Sequence, residues 1–138
     1  MRIMALDVGT VRIGVAISDE LFIIAQGIET IRCVDLKKDL QEIARLVAAN
    51  TVSEIVVGLP LNMNGTHSAK TEEVIKFADD LIKTVSVPVK MWDERLTTVQ
   101  AERVLLEADM SRAKRRQLAD KLAAQLILQS YLDSRKRG

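Results

Sequence analysis

Arg2–Ile31 reads RIMALDVGTVRIGVAISDELFIIAQGIETI, and this stretch decides the fold. RIMALDVG (2–9) is short, apolar and closed by a glycine, as a buried strand would be. RIGVAISDE (12–20) and LFIIAQGIETI (21–31) are two further runs rich in Ile and Val. The connections Gly9-Thr10-Val11 and Asp19-Glu20 have length only for hairpins. Three consecutive strands joined this way make an antiparallel meander.

Beyond the meander the apolar period changes. Leu36, Leu40, Ile43, Leu46 and Val47 recur at helical spacing between Asp35, a suitable N-cap, and Asn50. A buried strand is expected over Glu54–Leu59, halted by Pro60. LNMNGTHSAK (61–70) then reads as a loop with turn residues Asn62, Asn64 and Gly65. A helix through about Val85 presents Val74, Phe77, Ala78, Leu81 and Ile82 inward. VPVKMWD (87–93) is a strand with Pro88 near its start. Thr97 or Thr98 caps a helix to about Asp109, and Ser111 caps a last long one to about Asp133. The order β-β-β-α-β-α-β-α-α predicts an α/β fold. Its five-stranded mixed sheet would join the three-strand meander to two parallel strands, with helices on the faces. Nothing in 1–138 reads as a linker or repeat, so one domain is expected over that range.

Composition narrows the class. A hydrophobic fraction of 48% supports a core without disulfides, and Cys33 is the single cysteine. The apolar N-terminal run is broken at Asp7, too early for a signal peptide or membrane span, which predicts a cytoplasmic chain with no membrane partner. The net charge of +1 hides an asymmetry: residues 111–138 hold eight Lys/Arg against two Asp/Glu. A basic surface beside an acidic body suits a nucleic-acid partner, and it suits a solvated helix end as well.

Three carboxylates stand where chemistry is expected. Asp7 is ionisable inside an apolar strand, which is costly without a partner. It reads either as an Asx-turn aspartate closing the first hairpin or as a metal ligand, with Gly9 and Thr10 letting a phosphate approach the backbone. Asp93 and Glu94 end the last strand, where sites of open α/β sheets gather. Adjacent strand residues face opposite ways, so one of them looks into a given site. Glu94 is the preferred ligand, with Asp93 in reserve or orienting Arg95 or Thr97. Asp120 lies in QLADKLAAQLIL, either paired with Arg116 at the surface or turned to an Ala-rich packing face. Together they form a hard-oxygen set suited to Mg²⁺ or Mn²⁺, and one histidine, His67, cannot build a histidine-rich zinc site. Two such ions about 4 Å apart would serve phosphodiester hydrolysis. Supporting substrate contacts are expected from Arg95, from Asn62 and Asn64 in the loop, and from the basic cluster Arg112, Lys114, Arg115 and Arg116. Aromatic residues are 3% of the chain, so base stacking is a minor part of binding, and Trp92 reads as core.

LDVGT-x-RIGVAISD, IVVGLPLNMNGT, WDERLTT and ADKLAAQLILQSYLD resemble the motifs of the YqgF family, also described as RuvX or Holliday junction resolvase-like. The resemblance runs in order over nearly the whole chain, without a departure from the motifs. It implies a ribonuclease H-like fold and nuclease activity in maturing the 5′ end of 16S ribosomal RNA from its precursor. A resolvase role on branched DNA is the alternative it carries. By position, the family's catalytic acids fall on Asp7, Glu94 and Asp120.

Two other readings compete. Kinases of the actin and sugar-kinase type also open with Asp-x-Gly-Thr, but they close two such domains on a nucleotide, and 138 residues supply one. A non-catalytic module could use the same fold and basic helix to bind precursor RNA. The meander's edge strand and the amphipathic helices permit a homodimer without requiring one.

Overall fold

The computed structural model describes residues 1–95 and 112–137, and the side chains of 121–135 within the last helix. The expected helix from Thr97 or Thr98 to Asp109, and its neighbour Ser111, lie outside the described residues.

Strands β1 (Arg2–Val8), β2 (Arg12–Ser18) and β3 (Ala25–Arg32) form the meander. Helix α1 (Leu36–Ala49), strand β4 (Val52–Leu59), helix α2 (Ala69–Thr84), strand β5 (Val89–Asp93) and helix α3 (Arg112–Arg137) follow. Among the described residues the five strands make one sheet in the order β3-β2-β1-β4-β5. β1 and β2 pair antiparallel, as do β2 and β3, whereas β1–β4 and β4–β5 are parallel. The expected mixed sheet is present.

Each face of the sheet has its own core. Met4, Leu6, Ile13, Val15, Ile55 and Val57 are buried with Leu40, Ile43 and Leu46 of α1 and Val74 and Leu81 of α2. Ile3, Ala5, Ala16 and Val56 are buried on the other side with Ala124, Ile127, Leu128 and Leu132 of α3. Burying one such aliphatic side chain contributes roughly 1.5–3 kcal/mol. Alternation along β1 is strict: odd residues look at α3 and even residues at α1 and α2.

Local chemistry sets the boundaries. Asp35 caps α1 as expected, its Oδ1 accepting from the Lys38 amide at 2.8 Å. Ser68 and Thr71 form a reciprocal capping box at the start of α2. β3 begins at Ala25, four residues later than the Ile/Val pattern suggests. Asp19 Oδ1 accepts from the amides of Ile23 (2.7 Å) and Ile24 (3.0 Å), folding 19–24 into a turn in which Phe22 takes φ 59°. Leu21, Ile23 and Ile24 are therefore exposed turn residues, not sheet. β4 begins at Val52 because Thr51, at φ 53°, reverses the chain directly after α1. Pro88 stands just before β5, where its carbonyl still accepts from the Ile55 amide at 2.9 Å. α3 continues past Asp133 to Arg137. No helix among the described residues is long and apolar enough to cross a membrane.

Candidate active site

The alternation of β1 puts Asp7 on the α3 face, after Ile3 and Ala5. The register Leu6↔Val57 sets Asp7 beside Gly58 of β4, on the face of Val56. Gly58 pairs in turn with Trp92 of β5, which packs against the α3-side core. The Glu94 amide donates to Leu59 O at 3.3 Å, carrying the β4–β5 alignment one residue beyond the strand. Glu94 then shares the face of Trp92. Three neighbouring strands thus present Asp7, Gly58 and Glu94 in a row.

Gly58 is what lets this row close. A Cβ there would stand 2.6 Å from Glu94 Oε2 and 2.5 Å from Ile127 Cδ1 of α3. Any side chain would displace the carboxylate or the helix. Glu94 is half-buried. Burial, and next the negative charge of Asp7, push its carboxyl up to about 7, while the Lys70 ammonium acts in the opposite direction. Lys70 lies in the first turn of α2, and its Nζ donates to Thr10 Oγ1 at 3.4 Å. The β1–β2 turn that carries Thr10 is tight: Gly9 N donates to Arg12 O at 2.8 Å, and a Cβ on Gly9 would come within 2.5 Å of that oxygen. Gly9 therefore has a structural reason to be glycine, independent of any phosphate.

Asp93 is exposed and engaged elsewhere. It pairs with Arg95 at 2.6 Å and accepts from the Arg95 amide, and the guanidinium beside it holds its carboxyl below the usual range. Arg95 Nη1 also donates to Met63 O at 3.2 Å, which ties the 61–67 loop to the end of β5. Within that loop Asn62 Nδ2 donates to Thr66 Oγ1 at 2.9 Å, and Asn64 Oδ1 accepts from the Thr66 amide at 3.1 Å. The hydrogen bonds of both asparagines thus shape the loop itself. Asp120 falls in α3, four residues before Ala124. Its side chain, like those of Arg112, Lys114, Arg115 and Arg116, lies outside the described residues.

Sequence reasoning missed Gly58 and Lys70. A glycine inside the IVVGL strand is itself a signal of close approach. Lys70 had no such signal, since only the folded loop brings it near residues 10 and 94.

Chemically, the pair offers hard oxygen donors backed by Ile127, with no side chain on the strand between them. A carboxylate whose ionisation is made costly by burial and by a second carboxylate, as for Glu94, fits a divalent cation, which would offset that cost. Among the described residues no third acidic or histidine ligand joins them.

The fold is ribonuclease H-like. The structure of T. thermophilus RuvC in complex with Holliday junction substrate superposes on 99% of this chain and 96% of its own, with a TM-score of 0.62 at 15% identity, a likeness that concerns the fold. Residues 1–134 match the model of the RuvX family, described as Holliday junction resolvase, and the chain belongs to that family. A relative from Thermoanaerobacter pseudethanolicus, named "Putative pre-16S rRNA nuclease", is 55% identical over 137 residues, covering 99% of both chains. A protein of the same name from Caldanaerobacter subterraneus is 55% identical over 139 residues, covering 100% of both.

Proposed function

We propose that this protein is a metal-dependent nuclease that hydrolyses phosphodiester bonds in the 5′ leader of precursor 16S ribosomal RNA. The observation that carries the chemistry is the Asp7–Glu94 pair meeting across Gly58. The names of relatives above 50% identity support the substrate. Asp7, Glu94 and Asp120 would hold Mg²⁺ or Mn²⁺, Asp120 continuing the spacing of Ala124, Ile127 and Leu128 on α3. Such ions supply Lewis-acid stabilisation of charge on a phosphodiester, and two of them would act together. The chain's own residues prepare the site. Gly58 leaves room for the Glu94 carboxylate, Ile127 keeps an apolar wall against it, and Lys70 lowers the cost of ionising it. Arg112, Lys114, Arg115 and Arg116 would hold flanking phosphates.

The family description favours one second reading, an endonuclease on branched DNA. A single experiment separates the two. Purified protein with Mn²⁺ or Mg²⁺ is offered a precursor 5′ leader, a linear single strand and a four-way junction, with Asp7→Asn and Glu94→Gln proteins as controls. Leader cleavage that falls more than about 100-fold in both variants is expected, since even residues behind a metal ligand are worth 10–100-fold. Preferential junction cleavage would favour the resolvase. Cleavage undiminished by either substitution would refute the site.

A further inference from the structure

The start of α2 is fixed to the end of β4, the strand that carries Gly58. The buried Thr71 hydroxyl donates to Pro60 O, Ser68 and Thr71 close the capping box, and Leu61 bridges to His67. The backbone of Lys70 is thereby held at the end of the sheet where Asp7 and Glu94 stand. From there its half-buried side chain reaches Thr10, 60 residues earlier, in the turn that follows β1. The contact it makes does little for the fold. At 3.4 Å and exposed, the bond to Thr10 Oγ1 is a long one, and Lys70 forms no ion pair among the described residues. Ordering a lysine stem costs rotamer freedom that one such bond does not offset. The ammonium keeps further N–H groups to give, and the Thr10 hydroxyl, which accepts from it, keeps its own proton. Two donors therefore stand side by side next to the carboxylate pair. The Lys70 charge also acts on Glu94, against the burial and the Asp7 charge that raise that carboxyl. With Glu94 engaged by a divalent cation, the ammonium would face a like charge, which an anion between the two offsets.

We propose that Lys70 is a substrate contact, its ammonium and the Thr10 hydroxyl donating to non-bridging oxygens of the phosphodiester placed at Asp7 and Glu94. Lysine suits this role, as a compact charge on a long stem that can follow the phosphate. The inference rests on the nuclease reading for the identity of its ligand.

The test measures binding of the full chain to labelled single-stranded RNA in EDTA over a KCl series. Lys70→Gln is made in the wild type and in Glu94→Gln protein. For single strands each lost phosphate contact makes the slope of log K against log salt shallower by about 0.7. Lys70→Gln is expected to show that change in both backgrounds, with several-fold weaker binding at low salt, whereas Lys70→Arg keeps the slope. Thr10→Val removes an uncharged donor, so it should weaken binding at an unchanged slope. If Lys70 serves only to ease the ionisation of Glu94, Lys70→Gln will do nothing once Glu94→Gln is in place. If it only ties α2 to the β1–β2 turn, Lys70→Gln and Thr10→Val will lower the urea midpoint alike and leave both slopes untouched. Either result overturns the inference. Cleavage of a precursor 5′ leader by the wild type, measured alongside, keeps the two claims apart. Cleavage with an unchanged Lys70→Gln slope overturns the phosphate contact alone. The expected slope change without cleavage upholds the contact and overturns the nuclease reading. If wild-type protein binds no RNA, both fail together.

Discussion

The Glu94 carboxylate occupies the space that a side chain on Gly58 would fill, with Oε2 2.6 Å from where that Cβ would be. A carboxylate from one strand thus reaches over a neighbouring strand toward Asp7 on the next. The absence of a single methyl group connects two acidic residues that are 87 positions apart in the chain, 94 − 7.

Gly58→Ala is therefore expected to act on both stability and function. The added methyl meets Glu94 and Ile127 at once, and overpacking of this kind costs about 1–3 kcal/mol. Urea denaturation should show the loss. Metal-dependent cleavage should fall even at temperatures where the variant is fully folded. A folded variant with wild-type cleavage would show that the carboxylate does not need this gap.

The raised carboxyl of Glu94 predicts how stability follows pH. Its folded value of about 7 lies above the ordinary 4.5, so between these limits the folded state keeps a proton that the unfolded chain has released. Stability of the metal-free protein should fall as pH rises from about 5 to 8, by at most about 3 kcal/mol, less whatever solvent screens. Thermal melting in EDTA would measure it. Glu94→Gln should flatten the dependence, and Mg²⁺ should restore stability at pH 8. Apparent Mn²⁺ affinity should rise up to about pH 7 and then level, because the ligand form is deprotonated.

Asp7 is the second cause of that raised value, after burial. Asp7→Asn removes the charge and keeps the shape, so the Glu94 carboxyl should titrate lower without returning to 4.5. NMR titration of the labelled glutamate carboxyl would follow it. An unchanged titration would mean that the two groups do not sense one another.

The anchoring of α3 can be tested separately. Tyr131 OH donates to Glu54 Oε2, and Glu54 is also met by Lys90 at 3.4 Å and Arg135 at 3.5 Å. The Tyr131 ring meets Trp92 edge-on, with centroids 5.4 Å apart. Tyr131→Phe removes one donor to a half-buried carboxylate that keeps two cations, and should cost about 1–2 kcal/mol. The urea midpoint should shift with an unchanged slope.

The sheet was legible because its signal is periodic. Alternation in Ile3–Asp7 and the short link at residues 9–11 fix the meander whatever the tertiary context. The turn at 19–24 was not legible, because an apolar LFII run reads as strand unless the Asp19 side chain is known to cap the backbone there. Strand alternation separated Asp93 from Glu94 only as a choice between two faces. The structure adds which face holds Asp7, and gives Asp93 a different task in binding Arg95. Gly58 and Lys70 escaped notice for opposite reasons. The first signals by lacking a side chain, and the second owes its place to a loop whose path no local pattern specifies.

The order of the strands has a consequence for when the protein becomes competent. Asp7 leaves the ribosome within the first strand, yet its partner sits past residue 90, and parallel β4 and β5 must dock before the two can face each other. A nascent or half-folded chain carries the first carboxylate without the second. If this pair carries the proposed chemistry, cleavage has to wait for β4 and β5 to dock, so activity appears only with the finished sheet.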